Sequence, residues 1–586
     1  MELTKAAELD LSKVPLYQPR KFVPADIDFS NVQEICALYQ ELLKFSINSS
    51  ETMETFISHW SELDSAISEY GSVLYIKMTC QTDDKSRSEA YKHLTQEILP
   101  AIKPFDFELK KKLVAAWDSI TPGNDYYFVY IRNIRADVEL FRRENIELEK
   151  QDHLAIQDYQ TICGAMTVEF EGQHLTMPQI GLKLSEPDRA IREKAWRAIM
   201  ERRKQDAEKF DDIYDKVVSL RNNIAINAGF KNFRDYKFKE WYRFDYTPQD
   251  CFKYHEAVTQ AVVPAMEKIF KSRREIMKLD TIRPWDFDLH QPADPYGRKA
   301  LAPYKNAAEL VRGVRKMVGQ LCPDFDKTIA NMDDMGLLDL VSRKGKAPGG
   351  YQTSLDERRT QFIFGNTVGS NSDIHLLLHE GGHAFHSEAC KNQKLIMYRH
   401  PPIEFCEVAS QTMELIGHRY MNEFYSQAEA NRAWREYLEN VIYIFAWIAN
   451  IDAFQHWIYE NPTESKQSRC KAWLEINRRF FGELYDWSGI MEYREMMWHR
   501  QSHLFQCPLY YIEYGISLLG AIGIWLQSLK SVDTAVNNYR KALALGGSKA
   551  LPELFAAAGL KFDFSANTVE PLVIAIMQEW EKVKNA

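Results

Sequence analysis

The chain has 586 residues, 45% of them hydrophobic, and a formal net charge of −9. That length can bury a large core, in more than one lobe. The acidic balance argues against nucleic acid or an anionic membrane as the main partner.

Nine cysteines are scattered from Cys36 to Cys507 with no C-x-x-C pair. They read as reduced thiols of a cytoplasmic protein. The first residues, MELTKAAELDLSK, contain no apolar signal-like run. The most apolar stretches, Val441 to Ala449 and Ile516 to Leu526, are too short to span a bilayer.

Residues 1 to about 30 read as extended, with Pro15, Pro19 and Pro24. From Asn31 to Glu147 the apolar spacing is helical, most clearly over Ser58 to Tyr75 and Ser86 to Ala116. Pro100, Pro104 and a Pro122-Gly123 turn are the expected breaks. Thr167 to Met177 reads as a small hairpin around Glu171-Gly172. Asp188 to Arg203, Asp206 to Asn227 and Pro248 to Lys278 read as helices. Leu279 to Pro303, with Arg283-Pro284-Trp285-Asp286, reads as a turn-rich connection, which taken alone would be a surface loop.

The main β signal is Lys344 to Gly369, with strands expected near Gly349 to Thr353 and Gln361 to Asn366. The second runs almost directly into the next helix. It either serves the fold alone or pairs with the main chain of a bound peptide. Gly365-x-x-x-Gly369 lacks the Gly-Lys-Ser/Thr of a phosphate loop. Further on, Ala428 to Ile458, Ser465 to Tyr485, Tyr514 to Leu529 and much of the tail read as helical. No internal repeat is visible.

The chemistry concentrates in Asp373 to Cys390, which contains His379-Glu380-Gly381-Gly382-His383. Two histidines four apart project from one helix face on consecutive turns. Both imidazoles can then reach one Zn²⁺, and the glutamate between them can act as general base on a water. The two glycines each cost roughly 1 kcal/mol in a helix interior, which suggests a close backbone approach. His375 and His386 lie near the same face, but one regular helix cannot wrap a third histidine around the ion. No glycine turn follows that would bring one back. A third ligand must come from another helix. Pro401 to Met421 supplies Glu404, Glu407 and Glu414 on nearly one face, and spacing does not choose between them. Zinc and one base also need donors for the developing oxyanion. His503, Tyr510, Tyr511 and Tyr514 surround a proline-interrupted loop that could supply them or could be ordinary aromatic packing.

These motifs resemble the thimet oligopeptidase and oligoendopeptidase F family of zinc metallopeptidases. The family's H-E-x-G-H-A-x-H helix matches His379 to His386, and its F-x-E-x-x-S-Q helix matches Phe405 to Gln411. The likeness runs from about Met177 to the end; earlier residues match in helical character only. It implies one Zn²⁺ per chain held by His379, His383 and Glu407, with Glu404 and Glu414 as neighbours. It implies catalytic roles for Glu380, His503, Tyr511 and Tyr514, with Tyr510 competing with Tyr511. Substrate contacts are expected at Tyr351, Phe364, Gly365, His386 and Tyr510.

The implied fold is mostly α and two-lobed, with a small β-sheet beside the zinc helix and a deep cleft. A helical region over residues 1–175 and a catalytic region over 176–586 would pack as one unit around a central channel. The implied activity is endopeptidase cleavage of short peptides, with no membrane or nucleic-acid partner. A carboxypeptidase, a dipeptidyl carboxypeptidase on a related helical scaffold and a non-enzymatic peptide-binding relative are the alternatives.

Overall fold

The computed structural model describes residues 9–120, 125–288 and 293–586. The expected Pro122-Gly123 turn and residues 289–292 of the connection after Leu279 lie outside them. The described chain is mostly helical, with two small sheets. It divides into two compact units. The first comprises Met1–Glu139, Ala302–Ser426 and Gly520–Phe562; the second, Leu140–Leu301, Gln427–Leu519 and Asp563–Ala586.

In the first unit, helix Ser50–Cys80 starts from a Ser49–Thr52 capping box and buries Phe56, Trp60 and Leu63. These meet Tyr39 and Leu42 of helix Val32–Lys44 and Leu109 and Leu113 of helix Leu99–Ser119 in one core. Neither expected proline break occurs. The chain is helical without interruption from Lys85 to Ser119, with Pro100 just after a π-helical turn and Pro104 carried inside Leu99–Ser119. The turn before it, Leu94–Ile98, is π-helical.

The two sheets hold five strands: β1 (Thr167–Phe170), β2 (Gln173–Thr176), β3 (Leu338–Val341), β4 (Tyr351–Leu355) and β5 (Thr360–Thr367). The first unit's sheet has the order β3-β5-β4, with β3 parallel and β4 antiparallel to β5. β5 is the central strand and is buried from Gln361 to Gly365. Both of its edges are paired, so it cannot take a bound peptide as the sequence suggested; the half-buried outer strand is β4. The sheet packs on helix Asn371–Cys390, which follows β5 directly and is called the histidine helix below.

In the second unit, β1 and β2 form the expected hairpin. Its turn residues, Glu171 and Gly172, have φ of 52° and 77°, as a two-residue primed turn requires. Helix Gln427–Glu460 runs through this unit and is buried along most of its length. Trp285-Asp286 is no surface loop. Asp286 is fully buried, and its two oxygens accept from Arg189 Nε and Nη2 at 2.8 Å each, with Arg192 Nη2 at 3.3 Å. A buried carboxylate needs such partners. Among the described residues one helix, Ile512–Lys530, is long and apolar enough to cross a membrane, but 72% of its apolar window is buried within the protein.

Candidate active site

The histidine helix begins at Ser370, whose capping box is closed by Asp373. Asp373 Oδ2 accepts from the backbone N–H groups of Val368, Gly369 and Ser370, and Tyr304 donates its hydroxyl to the same carboxylate. This fastens the end of β5 to the start of the helix. Ile374, Leu377, Leu378 and Phe385 are buried on the helix's apolar side, and Phe325 stacks on Phe385. His379 and His383 stay half-buried on the opposite side.

The neighbouring helix, Ile403–Gly417, approaches very closely. A Cβ on Gly382 would stand 2.6 Å from both Ala409 O and Ser410 Cα, so only glycine fits there. Gly381 faces no such wall; its nearest neighbour would be Phe385 at 3.6 Å. Tyr539 fixes the same turn by donating to Ala409 O at 2.9 Å.

This approach brings Glu407 to the histidines. Its Oε2 lies 3.4 Å from His379 Nε2 and 3.9 Å from His383 Nε2. One ligand atom from each of the three residues falls within 4.8 Å of the others. Ser410 Oγ donates to Glu407 Oε2 at 3.0 Å and steadies the carboxylate. Glu414 takes the other side of His379, with Oε1 2.8 Å from Nδ1, and its Oε2 lies 3.6 Å from His375 Nδ1. Glu404 is buried one turn before Glu407 and is not part of the three-residue group.

The electrostatics favour a cation. Burial pulls the His379 imidazole down, but the Glu414 hydrogen bond and the Glu407 charge outweigh it and hold its pKa at about 10. Burial, with the positive charge at His379, lowers His383 to about 4. Burial and the Glu407 charge push the Glu380 carboxyl up to about 7. Three carboxylates thus surround two imidazoles in a poorly solvated place.

The other candidate positions are distributed as follows. His386 is buried, edge-on to Phe405, and neither ring nitrogen has a hydrogen-bond partner. Tyr351 of β4 stacks on Phe364 of β5 with centroids 4.8 Å apart, and its hydroxyl meets Thr79 Oγ1 at 2.6 Å. Phe364 is fully buried beneath the ammonium of Lys346. Gly365 faces Leu376, whose Cδ2 would lie 3.0 Å from an added Cβ. Gln352 of β4 was not anticipated. Its side chain reaches Ser387 Oγ at 3.3 Å, and its backbone N–H is one of the groups lowering the Glu380 pKa. Ser410 was not singled out either, although its i+3 spacing from Glu407 was readable.

In the second unit, His503 and the tyrosines form one cluster. The His503 ring lies 5.0 to 5.8 Å from those of Tyr510, Tyr511 and Tyr514. Its Nε2 is 3.4 Å from the Tyr514 hydroxyl, and its Nδ1 is 2.8 Å from Gln501 Nε2. Gln501 Oε1 also accepts from Tyr511 and Trp447. The loop before Tyr510 turns through Leu509 at a φ of 63°. Gln455 accepts the Leu509 N–H, and Arg243 bridges Leu509 O to Glu513 at 2.7 Å each.

The family described as Peptidase family M3 matches residues 182–573, and the Peptidase M3 N-terminal domain matches residues 22–141. Similarity therefore reaches into the N-terminal helices. Oligopeptidase PepF of Bacillus subtilis is 22% identical over 330 residues, 55% of this chain and 46% of its own length. Oligoendopeptidase F, chromosomal, of Lactococcus lactis subsp. cremoris is 19% identical over 399 residues, 66% of this chain and 63% of its own length. The chain thus spans less than two-thirds of the length of these curated relatives. Among solved structures, PZ peptidase A with inhibitor 2 has a TM-score of 0.86 at 26% identity, covering 96% of this chain and all of that one. Oligoendopeptidase-F from Enterococcus faecium has a TM-score of 0.64 at 14% identity, covering 94% of this chain and 97% of that one, a likeness of fold. With a family match across most of its length, the chain belongs to peptidase family M3.

Proposed function

We propose that this protein is a zinc-dependent oligoendopeptidase that hydrolyses internal bonds of short peptides. The observation that carries the reading is the convergence of His379, His383 and Glu407 ligand atoms within 4.8 Å, with Glu380 buried on the same helix. Two imidazoles and one carboxylate are the donor set of a catalytic zinc that keeps one position open. The surplus of negative charge around them suits a divalent cation. Bound there, Zn²⁺ would act as a Lewis acid, acidifying a water and polarising the scissile carbonyl.

The protein's own groups do the rest. Glu380 accepts the proton of the attacking water and returns it to the leaving amine. Glu414 holds His379 through Nδ1, leaving Nε2 for the metal. Tyr514, with Tyr511 or Tyr510, donates to the developing oxyanion, and His503 binds or polarises the substrate; these roles rest on the family resemblance. The outer edge of β4, from Tyr351 to Leu355, takes the substrate main chain by strand pairing. No side chain attacks the substrate, so no acyl-enzyme forms. A cytoplasmic location fits the nine cysteines, none of which is paired.

The test is mass-spectrometric mapping of cleavage in a peptide library blocked at both ends, with and without chelator. Internal cleavage abolished by chelator and restored by Zn²⁺ is expected. A blocked library left intact while unblocked peptides are trimmed from their ends would make the protein an exopeptidase, and no cleavage of either with metal bound would make it a binding relative.

A further inference from the structure

A second set of metal-ligand side chains lies deep in the other unit, away from the H-E-x-x-H residues in sequence. Helix Pro248–Ala257 carries Cys251 and His255 four residues apart, and helix Gln427–Glu460 carries Asp452 and His456 four residues apart. Each pair therefore projects from one face of its helix. The helices pack so that ligand atoms of Cys251, Asp452 and His456 fall within 4.8 Å of one another. All three residues are at most 2% exposed.

Buried polar groups normally have partners, and several here do not. Asp452 Oδ1 and both ring nitrogens of His456 make no hydrogen bond. His456 Nε2 stands 3.3 Å from Asp452 Oδ2, an ion-pair contact on the oxygen that His255 already uses. His255 does bond, with Nε2 2.8 Å from Asp452 Oδ2, leaving the other oxygen of the carboxylate open. Aromatic rings close the surroundings. Phe252 and Phe238 lie 4.9 and 6.2 Å from His456, and Phe480 lies 6.1 Å from His255. Without a cation, burial and the Asp452 charge push the Cys251 thiol far up, so it stays protonated beside an open carboxylate oxygen.

We propose that Cys251, Asp452 and His456 bind a second Zn²⁺ in the core of this unit, with His255 orienting Asp452. A thiolate and a carboxylate would cancel the ion's two charges, so the loaded site is neutral within the core. Sulfur, nitrogen and oxygen donors together suit zinc rather than magnesium or calcium. His255 repeats at this site what Glu414 does for His379: a hydrogen bond that fixes a ligand's orientation. Three protein ligands leave the fourth position of a tetrahedral ion to a water. Loading displaces the Cys251 proton to solvent, so metal uptake releases it.

The test uses full-length protein stripped of metal and reconstituted with Co²⁺. A His₂Glu centre has no sulfur ligand, so thiolate-to-cobalt charge-transfer absorption in the near ultraviolet reports the second site alone. The expected result is that band together with a second equivalent of Co²⁺ per chain. The band should persist in His379→Ala/His383→Ala protein, which separates this proposal from the catalytic one, and vanish in Cys251→Ser. A fully loaded wild type without the band would overturn the proposal, as would a band that survives Cys251→Ser. Should Cys251→Ser fail to fold, the wild-type and His379→Ala/His383→Ala spectra still decide.

Discussion

His379 presents its Nδ1 to Glu414 Oε1 at 2.8 Å, which leaves Nε2 facing Glu407 Oε2 at 3.4 Å. One carboxylate thus orients the ring while the other stands where a shared ion would need it. Removing the orienting partner should leave the ligand set intact but loosen it. Glu414→Gln is expected to weaken zinc affinity about 10- to 100-fold. Competition with a calibrated chelator measures this directly, and unchanged affinity would remove Glu414 from the metal centre.

The two glycines of the motif should respond in opposite ways. An alanine Cβ at Gly382 would meet Ala409 O and Ser410 Cα at 2.6 Å, and backbone cannot swing aside as a side chain can. Gly382→Ala is expected to cost about 1–3 kcal/mol or more and to spread the two helices. Gly381→Ala meets nothing closer than 3.6 Å and should gain about 1 kcal/mol from helix propensity. Chemical denaturation of the two variants checks the contrast.

Asp64 of helix Ser50–Cys80 gives a pH-dependent prediction away from the metal. Burial, then the Asp106 charge, pushes its carboxyl up to about 7, while the Tyr39 hydroxyl donates to it at 3.2 Å. Between about pH 4 and about pH 7 the native state keeps a proton that the unfolded chain has lost, so stability falls as pH rises. The loss is about 4 kcal/mol at most, since each pKa unit is worth about 1.4 kcal/mol. Asp64→Asn keeps the acceptor and removes the titration. Its stability relative to wild type should therefore grow from about pH 5 to about pH 8, as urea midpoints would show.

Tyr514→Phe removes one hydroxyl from the His503 cluster while keeping the ring contacts. Loss of an oxyanion donor lowers kcat by about 10²- to 10³-fold and leaves KM nearly unchanged. A change confined to KM would reassign Tyr514 to substrate binding.

How much of this was legible in the sequence depends on where each fact is stored. The helix over His379, Glu380 and His383 is local information, because four-residue spacing fixes a common face. The choice among Glu404, Glu407 and Glu414 is not local. It depends on the approach of two helices at Gly382 and Ser410, and the glycine hinted at closeness without naming the partner. β3 escaped notice because four residues, Leu338–Val341, carry little pattern and pair with a strand over twenty positions on. Pro104 misled because a proline weakens a helix without always ending it. Trp285-Asp286 looked like surface until Arg189 and Arg192 covered it. Cys251, His255, Asp452 and His456 each had helical spacing to a neighbour, but two hundred intervening residues hid the meeting of the pairs.

Glu380→Gln protein offers the most direct test of the central claim, because it should keep the ion and lose turnover by about 10²- to 10⁴-fold. Anomalous diffraction at the zinc edge from crystals of this variant locates the metal without reference to activity. The account predicts a peak about 2.0–2.2 Å from His379 Nε2, a His383 ring nitrogen and a Glu407 carboxylate oxygen. A zinc-loaded crystal with no density among these three side chains, or with the ion held by the histidines while Glu407 stays out of reach, would contradict it.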